Sequence, residues 1–353
     1  MTSRHGHHRR TRKPRPLGCV GIICVSVMTA GCWFPEENEV VVYAALDREF
    51  SEPILQQYEE ATGVTVLASY DVESTKSVGL TSQLMLERDR PRCDLFWNNE
   101  ILNTLRLAEQ GVLDVYRSPQ AEHYPKQFVS ADGRWQGFAA RVRVLIVNTE
   151  LVSAEERPDS IHDLLDPKWK GKVGIAKPLA GTTATHAACL FAAWGEEEAS
   201  DFFSQLKQNA KVLSGNKQVA KAVARGELAF GLTDTDDAWI EKTVNAQPVE
   251  IVFPDQAEDQ MGALFIPNTL AVIKGGPNPE KARKLVDYLL QAKIEEQLAR
   301  ADSAQFPLHE EATATSRAAP KAPLKRMDID FSKAMESWDR AMAFLTEEFA
   351  TAE

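Results

Sequence analysis

The stretch VVVYAALDREFSEPILQQYEEATGV, residues 40–64, decides the fold prediction. Its apolar start, residues 40–44, is typical of a buried β-strand. The apolar side chains that follow recur at helical spacing and predict a helix over about residues 48–61. The stretch therefore predicts one strand followed by one helix.

The same pattern occurs twice more in the next fifty residues. VTVLAS (64–69) precedes a predicted helix from Ser77 to Arg88, and CDLFW (93–97) precedes one that ends at Gly111. Strands that alternate with helices predict a parallel sheet covered on both faces, and such sheets bind ligands beyond the carboxyl ends of their strands. Three stretches would lie together at this edge of the sheet, the predicted ligand rim: Tyr43 to Asp47, Glu73 to Lys76 and Asn98 to Glu100.

A second set of strands follows the segment GRWQGF (133–138). The predicted strands are VRVLIVN (142–148), KVGIA (172–176), LAFGL (228–232) and TLAVI (269–273). Between them lie a helix opened by Gly181, Thr182 and Thr183 and an acidic loop, TDTDDA (233–238). The whole pattern predicts an α/β protein, with a loop over residues 312–322 and a helical C-terminus.

The N-terminus has the composition of an export signal. Residues 1–31 carry six basic side chains and no acidic one, and an apolar run, Leu17 to Met28, follows the basic stretch. That run is shorter than the roughly 20 apolar residues that a spanning helix needs. Removing the six positive charges from the net charge of −11 leaves −17, which argues against a nucleic-acid partner.

The residues just before Cys32 predict a lipid anchor. Thr29-Ala30-Gly31-Cys32 resembles a bacterial lipobox, whose cysteine is acylated and becomes the first mature residue, although Thr29 stands where Leu or Val is usual. An ordinary cleaved signal at the same place is the alternative. We therefore expect a signal peptide over residues 1–31, lipidation of Cys32, a tether over residues 32–38, and membrane attachment after export. Cys93 and Cys189 are expected to be two separate buried thiols.

Four stretches resemble one family of transport proteins. They are VVYAALDREFSEPILQQYEEATGV (41–64), DLFWNNEILNTLRLAEQGVL (94–113), HDLLDPKWKGKVGIAKPLAGTT (162–183) and GPNPEKARKLVDYLLQAKIEEQLA (276–299). They are similar to the ABC-importer solute-binding proteins grouped around the ferric-ion-binding proteins, whose relatives carry thiamine, phosphonates or sugar phosphates.

The resemblance implies a two-lobed periplasmic-binding-protein type II fold. Each lobe would be a mixed sheet flanked by helices, hinged by crossing strands. One lobe would comprise residues 39–139 and 267–315, and the other 140–266 and 316–353. A small ligand would close the cleft of a monomeric protein, which then docks on a permease and its ATPase in the inner membrane. No cofactor is expected, apart from Fe(III) as cargo.

Several polar residues are candidates for holding an anionic part of the ligand. Arg141 and Arg143 lie on one side of a strand, and the resemblance implies an anion-binding arginine there; pairing with acidic neighbours is the alternative. Gly181, Thr182 and Thr183 open one helix and Ser74, Thr75 and Lys76 another, where free N–H groups and hydroxyls suit an anion or serve only as caps. Asp47, Asn99 and Glu100 complete the predicted rim.

The acidic loop leaves the ligand open. The resemblance implies adjacent tyrosines at this place in ferric-binding relatives, but here the residues are Asp236 and Asp237. Tyr43 is the tyrosine on the predicted rim, so Tyr43, Asp236 and Asp237 are the candidate ligands for Fe(III), the favoured cargo. A phosphonate, sugar phosphate or other anionic or zwitterionic solute is the alternative, with the aspartates taking an ammonium group. A further alternative is that these aspartates only cap the start of a helix and bind no ligand.

An enzyme is not expected. The nucleophile, zinc-protease, phosphate-loop and dinucleotide motifs GxSxG, HExxH, GxxxxGK[ST] and GxGxxG do not occur in the chain. An exported chain with paired donors at strand ends indicates capture rather than catalysis.

Overall fold

A computed structural model describes residues 38–71 and 78–350, and the predicted signal peptide and Cys32 lie outside them. The strands in the described part are β1 (Glu39–Ala44), β2 (Thr65–Tyr70), β3 (Leu95–Asn98), β4 (Gln136–Asn148), β5 (Val173–Ala176), β6 (Lys211–Leu213), β7 (Phe230–Asp234), β8 (Val249–Val252) and β9 (Phe265–Val272). The helices are α1 (Arg48–Thr62), α2 (Val78–Leu86), α3 (Leu102–Glu109), α4 (Gly181–Trp194), α5 (Glu196–Asn209), α6 (Asn216–Ala224), α7 (Thr235–Trp239), α8 (Pro279–Leu289), α9 (Ala292–Arg300) and α10 (Phe331–Phe349).

The first strand and helix form as their sequence predicts. The apolar residues Ile54, Leu55 and Tyr58 of α1 are buried, and Gly63 ends the helix in the left-handed conformation with its N–H on the Glu59 carbonyl. β1 pairs in parallel with both β2 and β3. The predicted parallel arrangement of the first three strands is confirmed.

The strands form one mixed sheet in the order β2-β1-β3-β9-β4-β7-β5-β6, with β8 also paired to β4. The two parallel sets, β2-β1-β3 and β7-β5-β6, are separated by the antiparallel strands β9 and β4. Within the described residues, no helix is both long and apolar enough to cross a membrane. The predicted α/β class is confirmed.

β4 belongs to both halves of the sheet. Its first residues, 136–142, pair with β9, and its last residues, 143–148, pair with β7 and β8. All thirteen of its residues are buried. The sequence predicted only residues 142–148, because Gly133 and the polar residues of GRWQGF resemble a boundary rather than a buried strand.

A bulge interrupts β4 just before its arginines. Ala139 has φ of +39°, and the register with β9 shifts between Phe138 and Ala140. A left-handed backbone costs a residue with a Cβ about 1–2 kcal/mol, so neighbouring contacts must stabilise it. The N–H of Ala139 donates to Glu295 on α9, and its carbonyl accepts from the side chain of Asn268 on β9.

Glu295 ties this bulge to a second segment. Its side chain is fully buried and also accepts N–H bonds from Leu308 at 2.7 Å and His309 at 2.6 Å. Burial raises the pKa of Glu295 to about 7, although the three N–H groups act in the opposite direction. Glu295 thereby fixes the backbone two residues before Arg141.

Glu295→Gln should flatten the pH dependence of unfolding between about pH 4.5 and 7. A pKa raised in the folded state means that the folded protein binds the proton more tightly. The stabilising contribution is therefore complete at low pH and is lost as the pH rises through 7, by about 3 kcal/mol. Urea unfolding of the wild type and the variant across this pH range measures the change in the free energy of unfolding.

Glu296→Gln is the matched control, since the neighbouring carboxylate has a pKa lowered to about 2, chiefly by hydrogen bonds from Thr313. Its titration lies below this range, so the control should keep the wild-type slope. Equal slopes in the wild type and Glu295→Gln would contradict the assignment.

Candidate functional site

Two arginines of β4 form the centre of a buried polar cluster. Alternation along the strand puts Arg141 and Arg143 on the same side, and both contact one carboxylate, that of Asp234. Nη1 of Arg143 lies 2.7 Å from Oδ1 of Asp234, and Nη1 of Arg141 lies 3.6 Å from Oδ2. The predicted same-side placement is confirmed, and so is pairing with acidic neighbours.

Asp234 is positioned by strand pairing. It is the last residue of β7 and lies opposite Arg143 in the β4–β7 register. Its Oδ2 accepts from the Thr182 hydroxyl at 2.6 Å and the Asn216 amide at 3.0 Å. Burial by itself raises the pKa of Asp234, but the charges of Arg143 and Arg141 together with the bond from Thr182 lower it overall. Asp234 is therefore ionised at neutral pH.

The start of α4 forms one wall of the cluster. Gly181 has φ of +58°, a conformation that glycine adopts without strain, and places Thr182 and Thr183 against Asn216. The cap residue is Ala180, with no side-chain cap bond. The reading of these threonines as helix caps is therefore wrong, since their hydroxyls serve the Asp234–Asn216 network instead.

The acidic stretch is a helix start rather than the predicted loop. Asp236 and Asp237 lie in the first turn of α7, and carboxylate oxygens of Asp234, Asp236 and Asp237 lie within 4.8 Å of one another. The cap residue of α7 is Asp234, which makes no side-chain cap bond. Asp234 therefore stands at the predicted N-cap position of an Asp-rich helix start, while its carboxylate binds the arginines.

Arg141 connects this acidic group to the loop after β3. Its Nη1 lies 3.5 Å from Oδ2 of Asp236, and its Nη2 donates to the carbonyl of Asn99. Burial acts to lower the pKa of Arg141, but the carboxylates of Asp236, Asp234, Asp47 and Asp237 raise it overall. The structure thus brings Asp47 and Asn99 to the same cluster, and Arg141 stays a cation.

Glu100 has a different role from the predicted one. Its buried carboxylate accepts from the N–H groups of Leu102 and Asn103 at the start of α3, and from the Thr185 hydroxyl at 2.9 Å. Burial raises the pKa of Glu100. The prediction of a ligand-binding carboxylate is corrected: Glu100 closes the first turn of α3 and joins it to α4.

Tyr43 does not reach the aspartates. Its phenol donates to Glu87, just after α2, at 3.0 Å and accepts from Gln83, in α2, at 2.8 Å. Its ring packs with Leu84 and Phe96. Burial and the Glu87 carboxylate raise its pKa far above the usual value. The prediction of Tyr43 as a metal-binding phenolate is corrected, because side chains alternate across β1 and this one faces α2.

Two site residues were missed by the sequence analysis, Asn216 and Thr185. Asn216 bonds to Thr182, Thr183, Arg143 and Asp234, and Thr185 bonds to Glu100. Asn216 directly follows Gly215 at the start of α6, a helix-start signal that could have indicated it. Ser74, Thr75 and Lys76 lie outside the described residues.

The cluster leaves hydrogen-bond donors without acceptors. Nε of Arg141 and Nε of Arg143 are buried and have no partner in the described part of the chain. His186 lies beside this pair, and burial together with Arg143 lowers its pKa to about 3, so its ring is neutral.

Cys93 and Cys189 are separate buried thiols, which confirms the cysteine prediction.

One strand of the mixed sheet is shared by two halves, and the buried polar cluster lies at the strand ends, where α/β sheets bind their ligands. Residues 98–334 match the model of the bacterial extracellular solute-binding proteins, and the chain belongs to that family.

Relatives and solved structures support this assignment. The chain is 24% identical over 311 residues to the major ferric iron-binding protein of Neisseria meningitidis serogroup A, covering 86% of this chain and 90% of that protein. It is 25% identical over 256 residues to a putative 2-aminoethylphosphonate-binding periplasmic protein of Salmonella typhi, covering 70% and 71%.

The periplasmic binding protein AfuA of Actinobacillus pleuropneumoniae, solved with fructose-6-phosphate, aligns with a TM-score of 0.77 and 24% identity over 89% of this chain and 99% of that one. The predicted family and the type II periplasmic-binding-protein fold are confirmed.

Asp234→Asn should destabilise the protein by about 3–5 kcal/mol, because it leaves two buried arginines without their shared counter-charge. Chemical denaturation at pH 7 measures the loss. Asp302→Asn is the control, since Asp302 pairs with Arg317 at the surface and such a pair contributes about 0–1 kcal/mol. Losses of the same size in both variants would contradict the central role of Asp234.

Proposed function

We propose that this protein is the periplasmic binding component of an ABC importer for a small organic phosphate or phosphonate. One observation carries the proposal: the buried guanidinium of Arg141 lies against the aspartates and still has an unpartnered Nε. An organic solute with an anionic end and a polar or cationic end complements this mixture of charges.

The anionic end suits the two arginines. Nε of Arg141 and Nε of Arg143 are donors without acceptors, and phosphate oxygens match the planar fork of a guanidinium. The start of α4 adds the positive end of a helix of 14 residues. Together these groups favour phosphate or phosphonate over a neutral solute.

The other end of the solute suits the acidic group. Asp236 and Asp237 lie in the first turn of α7, within reach of the same Arg141. A carboxylate accepts from an ammonium or hydroxyl group in a charge-assisted hydrogen bond, which contributes about 1.5–3 kcal/mol. The names of the Salmonella relative and of the AfuA structure, which mention an aminophosphonate and a sugar phosphate, support this class of ligand.

Ferric iron is the second candidate, and one observation favours it. Three carboxylates offer oxygens within 4.8 Å of one another, which suits a hard cation, and the Neisseria relative is a ferric iron-binding protein by name. Against it, the permanent charge of Arg141 lies 3.5 Å from Asp236, and the Tyr43 phenol is bonded elsewhere. The site is therefore less suited to a bare trivalent cation.

The mechanism we propose is capture by closure, without chemistry on the solute. Residues 39–139 and 267–315 would form one lobe and residues 140–266 and 316–353 the other, with β4 as the crossing strand. Two bonds in the structure would then join the lobes, Arg141 to the Asn99 carbonyl and Thr185 to Glu100. The closed, monomeric protein would dock on the permease.

2-Aminoethylphosphonate or fructose 6-phosphate should stabilise the protein in the presence of excess EDTA. At about 100 times the dissociation constant, binding adds about 2.7 kcal/mol to the free energy of unfolding. Thermal unfolding with each compound, and with Fe(III) citrate in the absence of EDTA, measures the response. Stabilisation by Fe(III) alone, lost on chelation, would instead support the iron candidate.

Arg141→Ala should weaken that binding about tenfold or more, a loss of about 1.4 kcal/mol, because the anion loses its nearest guanidinium. Asp237→Asn, at a less buried position, tests the other end of the solute. Arg157→Ala is the control, since Arg157 pairs with Glu250 at the surface. Calorimetric titration gives the three affinities, and unchanged affinity in Arg141→Ala would contradict this site.

The anchor we propose is the acylated Cys32. Wild-type protein should fractionate with membranes after export, and Cys32→Ala should abolish this attachment, because a thioether-linked lipid requires the cysteine. Fractionation and mass spectrometry of the mature N-terminus measure it. Wild-type protein found wholly in the soluble periplasmic fraction would contradict the anchor.

A further inference from the structure

A second group of metal-ligating side chains lies away from the arginine–aspartate cluster. It consists of His123, at the end of a short 3₁₀ turn before β4, and of His309 and Glu311, in the loop after α9. One donor atom from each lies within 4.8 Å of the other two. The N–H of Glu310 donates to the His123 carbonyl at 2.8 Å, so the backbone already holds the two segments together.

The hydrogen bonds of His309 leave it in a form that can bind a metal. Its Nδ1 accepts from the N–H of Glu311 at 3.1 Å, so the neutral ring carries its proton on Nε2 and directs the Nδ1 lone pair toward Glu311. Nε2 is buried and has no hydrogen-bond partner among the described residues.

His123 is oriented in a complementary way. Its Nδ1 lies 3.7 Å from Oε1 of Glu311, while its Nε2 lies 3.8 Å from Oε1 of Glu122. A carboxylate that accepts from the far nitrogen of an imidazole orients metal-binding histidines, and Glu122 would do so once it moves within hydrogen-bond distance. The His123 side chain is 31% exposed and that of Glu311 is 67% exposed, so both can move toward a shared ion.

We propose that His123, His309 and Glu311 bind a divalent transition-metal ion such as Zn²⁺, independently of the transported solute. Two imidazoles and a carboxylate are a ligand set that Zn²⁺ accepts with water in the fourth position. Zn–N distances of about 2.0–2.1 Å require the donor atoms to lie closer together than they do in this structure, and the exposed ligands can make that movement. The ion replaces the Glu311 N–H at Nδ1 of His309.

Such an ion would join two segments next to the β4 bulge. The backbone N–H of His309 donates to Glu295, and Glu295 accepts the N–H of Ala139. Holding His309 in place therefore stabilises the same loop that anchors the bulge. The site is structural in this arrangement, and it leaves the solute cluster around Asp234 unchanged.

Zn²⁺ titration of the untagged full chain by calorimetry tests the proposal. Because the closely spaced His5, His7 and His8 can also bind metals, the parent chain and all variants carry His5→Asn, His7→Asn and His8→Asn. We expect one Zn²⁺ per chain, and a similar Co²⁺ complex with visible absorption bands. His123→Gln and Glu311→Gln change exposed side chains and should each weaken Zn²⁺ about 100-fold or more, since even outer contacts contribute 10–100-fold.

His162→Asn, which changes an exposed histidine outside the group, and Asp236→Asn, in the solute cluster, are the controls and should bind Zn²⁺ like the parent chain. Unchanged Zn²⁺ affinity in both His123→Gln and Glu311→Gln would overturn the proposal, and so would a parent chain that does not bind Zn²⁺. Loss of Zn²⁺ binding in Asp236→Asn alone would place the ion in the solute cluster and overturn it equally.

Discussion

The ion pair between Arg143 and Asp234 is the constraint on which the site depends. Both side chains are buried, at 0% and 1% exposure, and their strands are paired so that the two residues face each other. Removing two such charges from water costs several kcal/mol per ion, and the pair forms only where further hydrogen bonds satisfy both groups. Thr182 and Asn216 supply these bonds, so α4 and α6 must start where they do.

A second constraint is that β4 serves two halves of one sheet. β4 pairs with β9 over its first part and with β7 and β8 over its second, and the bulge at Ala139 lies in the first part. Buried side chains from two other elements, Glu295 and Asn268, hold both polar groups of this residue. The arginines follow within four residues, so their placement depends on contacts far away in the chain.

The sequence predicted the parts of the fold that local patterns determine. The strand and helix of residues 40–64 recur almost unchanged as β1 and α1, and the start of α4 lies at Gly181 as predicted. Local periodicity carries this information because a buried strand and an amphipathic helix each have a fixed spacing of apolar residues. The common side of Arg141 and Arg143 followed from the same rule.

What the sequence did not predict depends on contacts between distant residues. The orientation of Tyr43 is set by packing against α2, and the Glu100 carboxylate accepts hydrogen bonds from the start of α3 and from Thr185. The residues next to Tyr43 and Glu100 in the sequence indicate neither contact. Asn216 binds Asp234, 18 residues away, and Glu295 binds the N–H of Ala139, 156 residues away. Residues on a predicted rim are therefore candidates only, and their hydrogen bonds decide which remain available to a ligand.

The charge arrangement of the candidate site bears on the class of ligand that we propose. Arg143 is buried beside Asp234 within one proposed lobe, so its desolvation occurs during folding and not on binding. An anion that reaches the unpartnered Nε atoms of Arg141 and Arg143 meets donors held by their ion pairs with Asp234. A bare cation at Asp236 and Asp237 meets instead the repulsion of the Arg141 guanidinium, whose Nη1 lies 3.5 Å from Oδ2 of Asp236 in a buried position where solvent screens charges weakly. A solute that carries both charges avoids this conflict, because each of its ends faces the opposite charge.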